Sequence, residues 1–122
     1  MNVRPIRGDI FLAEMKQSRG SEQAGIRPVV IVQNNTGNKH SPTTIIVPLT
    51  AKKKRPLPTH VTIKHFGLKK KSTALCEQVT TIASSRLISY IGSLGTKDMK
   101  KIDKALKISL NIRKRSYNEI NT

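Results

Sequence analysis

Acidic residues are scarce in this chain of 122 residues, which has seven Asp and Glu against 23 Lys and Arg. The formal net charge is +16, and residues 23–76 include ten Lys and Arg but no Asp or Glu. So few scattered carboxylates argue against a magnesium-dependent active site. The excess of positive charge instead predicts a polyanionic partner such as nucleic acid.

Aromatic residues, cysteines and long apolar runs are also rare. Aromatics make up 3% of the chain and tryptophan is absent, which argues against a row of base-stacking side chains and against an amphipathic membrane anchor. The lone Cys76 cannot form an internal disulfide and is expected to be a small buried hydrophobe. The longest apolar runs, such as residues 29–32, are far shorter than the roughly 20 residues that span a bilayer. The sequence predicts a soluble, cytoplasmic protein with no membrane partner.

The apolar pattern predicts one domain over residues 1–112 and a basic tail over residues 113–122. Alternating or β-branched segments predict strands at residues 8–14, 28–33, 43–50, 60–64 and 73–82, with a short apolar segment of uncertain type at 87–91. Residues 34–38 are typical of a turn, and Pro48 indicates a sheet edge or a bulge. Apolar residues at helical spacing predict a C-terminal helix capped by Thr96. These elements predict a mainly β α+β fold, a bent sheet or half-open barrel carrying one helix.

Metal-binding spacings of Cys and His and a glycine-rich phosphate loop are absent from the sequence, so we expect neither a metal nor a cofactor. The histidines are expected to be structural or at the surface. Polar residues do gather near the ends of predicted strands, and these are Ser21, Glu22, Gln23, Arg27, Thr50, Glu77 and Gln78. Among them, Ser21, Gln23, Glu77 and Gln78 are candidate RNA-binding residues.

Arg27 precedes Pro28, which favours an extended backbone and the start of a strand. Two interpretations of its guanidinium are open at this point. It either pairs with Glu77 or Glu22 and stabilises the sheet, or it binds an external anion.

Two basic loops are predicted to be exposed. They either are simply solvated or follow a phosphate backbone, and their candidate RNA-binding residues are Lys52, Lys53, Lys54, Arg55, Lys69 and Lys70.

A series of motifs in this sequence resembles the MazF/PemK family of bacterial toxins. The motifs are Arg-Gly-Asp-Ile at 7–10, Gly-Ser-Glu-Gln-Ala-Gly-Ile-Arg-Pro-Val at 20–29, Val-Pro-Leu-Thr at 47–50, Pro-Thr-His-Val at 58–61 and Glu-Gln-Val at 77–79. They follow the expected order, together with Gln33-Asn34, Gly37-Asn38, Ser-Pro-Thr at 41–43 and Arg86-Leu87.

The resemblance implies an SH3-like barrel, a homodimer and an endoribonuclease that cuts single-stranded RNA at short sequences without a metal. It also implies inhibition by an acidic antitoxin. Carried over to this chain, the catalytic pair is Arg27 and Thr50, with Ser21, Glu22 and Gln78 as RNA contacts. Thr80 stands where relatives often have a basic residue, which puts the family's base preference in doubt for this chain.

The chemistry of RNA suits such a site because the 2′-hydroxyl is a nucleophile within the substrate. Arg27 offers a charged fork that matches phosphate oxygens, and Thr50 can donate a hydroxyl to the same group. Glu22 either activates the 2′-hydroxyl or shapes its loop. Two other functions remain open: a gyrase poison of the CcdB type on the same fold, and a non-catalytic RNA- or ribosome-binding module.

Overall fold

The computed structural model describes residues 4–15, 25–65 and 67–112. Seven strands form an antiparallel sheet. They are β1 (Asp9–Met15), β2 (Gly25–Ile31), β3 (Thr43–Thr50), β4 (His60–Ile63), β5 (Ser72–Leu75), β6 (Thr80–Ala83) and β7 (Leu87–Ser93). The strand order is β4-β5-β3-β2-β1-β7, and β6 pairs with β3 beside β5. Because β4 and β7 end this path without meeting, the sheet is open, and the predicted mainly β, half-open fold is confirmed.

The sheet has an apolar cluster on each face, since successive residues of a strand point to opposite sides. The helix-side core contains Val30, Val47 and Leu49 and is covered by residues of the C-terminal helix. The open-side core lies on the other face and consists of Phe11, Ala13, Met15, Val29, Ile31, Ile46, Ile82 and Leu87. A side chain on one of these faces is therefore separated by the sheet from a side chain on the other.

The C-terminal helix α2 (Thr96–Ser109) was predicted from its apolar spacing, and that prediction is confirmed. Met99, Ile102 and Ala105 are buried against the helix-side core. The predicted cap was wrong: Gly95 is the N-cap and Thr96 is the first helical residue, with no capping hydrogen bond from a side chain. Gly95 has an ordinary extended backbone, and glycine is among the residues often found at an N-cap.

Two predicted boundaries also differ from the structure. The expected strand over 73–82 is divided into β5 and β6 by a 3₁₀ turn, Cys76–Gln78. The expected turn at 34–38 is instead the short helix α1 (Asn35–His40), whose start is capped by the Asn34 side chain accepting from the Gly37 amide at 2.8 Å.

Pro48 does not mark a sheet edge, because β3 is an interior strand. On the side away from β2, residues 43–46 pair with β6 and residues 49–50 pair with β5. Pro48 lies where β3 changes from one partner to the other, so its missing amide interrupts neither ladder.

Two expectations from composition can be compared with this fold. Cys76 is buried and unpaired, as predicted. Within the described residues, no helix has the length and apolar character needed to cross a membrane. The predicted tail at 113–122 lies outside the described residues.

Candidate active site

The pairing of β2, β3 and β5 determines which side chains lie together near one end of the sheet, on the face that carries the open-side core. The β2–β3 ladder ends where Val29 pairs with Pro48, so Arg27 lies two residues beyond that pair on β2 and Thr50 lies two residues beyond it on β3. Thr50 in turn pairs with Thr73, and Thr73 pairs with Thr62. Paired residues point to the same side of a sheet. Thr50, Thr73 and Thr62 therefore form a cross-strand row of three hydroxyls, and Arg27 lies at the same end of the sheet on the neighbouring strand β2.

The row lies at the end of the open-side core. Arg27 has the same parity along β2 as Val29 and Ile31, and Thr50 has the same parity along β3 as Ile46. Arg27 is half-buried, whereas Thr50 is 2% exposed. Thr50 is thus buried and Arg27 is partly open to solvent, and their hydrogen bonds and charge are less screened at these positions than in bulk water.

The hydroxyl of Thr50 has one partner that fixes its orientation. Its Oγ1 accepts a hydrogen bond from the Lys52 amide at 3.2 Å. A hydroxyl has one hydrogen to donate and two lone pairs. Accepting the Lys52 amide uses one of the lone pairs of Thr50 Oγ1 and not its hydrogen.

Thr73 and Thr62 were not found from the sequence. Each lies in a short strand where a threonine is an ordinary residue, and nothing local distinguishes them. Only the long-range pairing with Thr50 identifies them as neighbours of the predicted pair.

Both basic loops meet the same end of the sheet as the cross-strand row. One leaves the end of β3 at Thr50, and the other enters β5 at Ser72. Because β3 and β5 are antiparallel, the end of the first and the start of the second lie side by side. Lys54 is half-buried, and the other basic residues of the two loops are exposed: Lys52, Lys53, Arg55, Lys69, Lys70 and Lys71. The two basic loops thus lie beside Thr50, on the side of β3 that faces β5.

Glu77 and Gln78 lie further along β5, in the 3₁₀ turn that follows it. At about 3.3 Å per residue, this turn begins about 10 Å from Thr73. The Glu77 carboxylate accepts from Thr59 Oγ1 at 2.8 Å and contacts His60 Nε2 at 3.0 Å. The carboxylate that the sequence offered as a structural partner for Arg27 is therefore engaged by β4 and the residue before it.

The pKa of Glu77 is set by opposing effects. Burial alone would raise it, but hydrogen bonds from His60, the backbone and Thr59, with the charge of His60, together lower the pKa below its ordinary value of 4.5. Glu77 is thus held as a carboxylate. The pKa of the neighbouring Cys76 is raised to about 12, first by burial and then by the charge of Glu77, so this thiol is not a nucleophile at neutral pH.

Tyr90 is a second feature that sequence reasoning missed. It pairs with Phe11 across β7 and β1, and their ring centroids are 5.7 Å apart in an edge-to-face arrangement. Tyr90 is 59% exposed, and its hydroxyl contacts Ser93 Oγ at 2.8 Å. Because Phe11 belongs to the open-side core, the Tyr90 ring lies on the same face as Arg27, about 12 Å away by strand spacing.

Three predicted site residues, Ser21, Glu22 and Gln23, lie outside the described residues. The described parts of the chain contain no group of three or more His, Cys, Asp and Glu side chains arranged to hold a metal ion.

Residues 6–110 match the model of the PemK-like, MazF-like toxins of type II toxin-antitoxin systems. A protein of Staphylococcus saprophyticus named endoribonuclease MazF is 46% identical over 109 residues, which cover 87% of this chain and 91% of that relative. This chain belongs to the PemK/MazF toxin family. The family predicted from the sequence motifs is thereby confirmed.

Solved structures of the family have the same fold. The chain resembles an endoribonuclease of a mycobacterial species, solved in complex with its cognate antitoxin, with a TM-score of 0.77 and 26% identity over 91% of this chain and 99% of that one. MazF from Deinococcus radiodurans is similar with a TM-score of 0.79 and 19% identity, over 90% of this chain and 99% of the other. The MazF-type barrel implied by the resemblance is confirmed.

Proposed function

We propose that this protein is the toxin of a type II toxin-antitoxin module and acts as an endoribonuclease that cleaves single-stranded RNA. The observation that supports the proposal is the cross-strand row of threonines, which lies with Arg27 at the end of the sheet where both basic loops meet it, in a member of the PemK/MazF family. The 46% identity to a protein named endoribonuclease MazF supports the same activity.

In the proposed reaction, the RNA supplies its own nucleophile. The 2′-hydroxyl loses its proton as its oxygen bonds to the adjacent phosphorus, and the bond from phosphorus to the 5′ oxygen breaks. The 5′ oxygen takes up a proton from solvent, which leaves a 2′,3′-cyclic phosphate and a 5′-hydroxyl end. No metal enters this scheme, because alignment and charge stabilisation supply the rate acceleration.

Arg27 and Thr50 have complementary roles in that scheme. The planar guanidinium of Arg27 pairs with two phosphate oxygens and stabilises the charge that develops on them. Thr50 donates its hydroxyl hydrogen to the same phosphate, since the Lys52 amide already occupies one of its lone pairs. Glu22 is proposed to accept the 2′-hydroxyl proton, and shaping of the loop before β2 is its alternative role.

The surrounding residues are proposed to hold the RNA. The two basic loops contact phosphates, and Gln78 with the loop residues Ser21 and Gln23 contacts bases or sugars. Glu77 is a weaker RNA contact than we predicted from the sequence, since its carboxylate is engaged by Thr59 and His60. The exposed Tyr90 ring adds a surface on which one base can stack.

The partners follow from the family. The mycobacterial neighbour is bound to its cognate antitoxin, and the charge of +16 on this chain suits an acidic antitoxin as inhibitor. We also propose a homodimer and a cytoplasmic location, where messenger RNA is available and the single cysteine stays reduced.

Incubation of the purified protein with mixed single-stranded RNA in the presence of EDTA tests the activity. Discrete fragments with cyclic-phosphate ends are expected. Intact RNA, or cleavage that requires added magnesium, would contradict the proposal. A parallel supercoiling assay with gyrase separates the nuclease from a gyrase poison, and binding without cleavage would identify a non-catalytic RNA-binding module.

A further inference from the structure

The exposed side of α2 carries an unbroken stripe of positive charge. We define the lysine stripe as Lys97, Lys100, Lys101, Lys104 and Lys107, all of which are exposed. At 3.6 residues per turn, these five side chains fall within an arc of about 120°. From residue 97 to residue 107, each position in that arc is a lysine. The apolar residues Met99, Ile102 and Ala105 lie on the opposite side of the helix.

The acidic residues of α2 do not neutralise this stripe. Asp98 and Asp103 project outside the arc of lysines, on its two flanks. Asp103 forms an ion pair with Arg7, near the start of β1. Asp98 is in the first turn, where a carboxylate stabilises the helix dipole. Among the described residues, the ion pairs within 4.0 Å join Arg7 to Asp103 and His60 to Glu77, and neither includes a lysine.

Like charges three and four residues apart destabilise a helix. The stripe contains several such pairs, including Lys97 with Lys101 and Lys100 with Lys104. A bound polyanion would relieve the repulsion between these lysines.

We propose that the lysine stripe is a second RNA-binding surface, which contacts the phosphates of single-stranded RNA that extends beyond the cleavage site. This inference rests on the proposed endoribonuclease function. α2 packs on the helix-side core, whereas Arg27 and Thr50 lie with the open-side core across the sheet. The stripe is thus separate from the site of cleavage. It would raise the affinity for longer RNA strands and would take no part in the cleavage reaction.

A nucleic-acid backbone fits this surface better than a protein does. Lysine is depleted in the cores of protein interfaces, which depend on aromatic and arginine anchors. Between Lys97 and Lys107 the arc offers no apolar anchor, and the exposed Ile108 lies beyond its last lysine. The stripe also lacks aromatic residues for stacking, so it would bind phosphates without regard to base sequence.

The test measures the affinity of the full chain for 2′-O-methyl RNA, which lacks the free nucleophile and stays intact. The variant combines Lys97→Gln, Lys100→Gln, Lys101→Gln and Lys104→Gln, because glutamine keeps a high helix propensity while removing the charge. The wild type should bind a strand of about 30 nucleotides more tightly than one of about 8, and the variant should lose most of that gain. Its log-log salt slope on the long strand should fall by about 3, at about 0.7 for each of four phosphate contacts.

Lys39→Gln, an exposed lysine on α1, is the control for loss of a charge elsewhere and should leave the length dependence intact. Unchanged affinity and salt slope for the long strand in the four-lysine variant would overturn the inference. A loss of antitoxin binding alone would assign the stripe to a protein partner and overturn it equally. If the wild type fails to cleave RNA in EDTA, the proposed function fails, while this binding comparison still reports on the stripe.

Discussion

Replacing Thr50 with valine would remove one hydroxyl from the cross-strand row and preserve the shape of the side chain. Thr50 is 2% exposed, and its hydroxyl accepts the Lys52 amide at 3.2 Å. Because Lys52 is itself exposed, its amide can bond to water in the variant. The loss of free energy of unfolding should be about 1 kcal/mol, the net value of one hydrogen bond. That corresponds to a fall in melting temperature of about 4 °C for a domain of this size.

The effect on cleavage should be much larger. Loss of one preorganised donor to a developing oxyanion typically lowers the rate by about 10² to 10³, or roughly 3 to 4 kcal/mol of barrier. Single-turnover cleavage of a labelled RNA, measured well below the melting temperature, reports this step. Thermal unfolding of the same preparation reports the stability.

Thr44→Val is the matched control because it makes the same change in the same strand. Thr44 is fully buried and donates to Asn38 Oδ1 at 2.7 Å, near the far end of β3. It should lower stability at least as much as Thr50→Val and leave the cleavage rate within about twofold. Wild-type cleavage by Thr50→Val, or an equal loss of activity in Thr44→Val, would refute the role assigned to Thr50.

Three further predictions concern Arg27, Glu77 and Cys76. Arg27→Lys keeps the charge but loses the planar fork, so the single-turnover rate should fall about 10²-fold, and a wild-type rate would exclude bidentate phosphate binding. Because the folded pKa of Glu77 is lowered, its contribution to stability is complete above about pH 4.5 and is lost as the pH falls through the folded pKa. Urea unfolding should therefore show a deficit in Glu77→Gln at pH 7 that shrinks near pH 3, and a constant deficit would contradict the lowered pKa. Cys76, whose pKa is raised to about 12 by burial and by Glu77, should resist iodoacetamide at pH 8 until the chain is denatured, and rapid labelling of the folded protein would contradict its burial.

The spacing of apolar residues in the sequence correctly predicted β3 and α2. The β-branched segment that forms β3 has the same bounds in the structure as in the prediction, and α2 was recognised from the spacing of Met99, Ile102 and Ala105. In both cases one face is buried along the whole element, so the apolar period is visible in the sequence.

Tertiary contacts explain the elements that local patterns missed. The helix α1 stands where a turn was predicted, and it is stabilised by Asn38, which bonds to the Gln33 carbonyl at 3.0 Å and accepts from Thr44 at 2.7 Å. The break between β5 and β6 occurs where β4 ends its pairing at His60 and Leu75. Neither arrangement leaves a periodic signal in a short segment.

The candidate site was predictable in its residue types and not in its geometry. Arg27 and Thr50 could be located at strand ends from the sequence, but only the pairing of β2 with β3 shows that these two strand ends lie at the same end of the sheet. Thr73 enters the row through pairing with Thr50, a contact between residues distant in sequence. A one-residue shift of either register would turn these side chains to the other face of the sheet.

One more prediction concerns the two proposed RNA-binding surfaces, the basic loops beside Thr50 and the lysine stripe on α2. Thr50, where the first basic loop begins, faces away from the helix-side core that α2 covers. Exposed charges further apart than the screening length, about 8 Å at physiological salt, interact weakly. Charges so separated should act independently, so their effects on binding free energy should add. Neutralising both surfaces should then lower the salt slope for a long strand by the sum of the two separate decreases. A combined decrease smaller than that sum would mean that a strand never occupies both surfaces at once, and the stripe would then compete with the cleavage site for RNA rather than extend it.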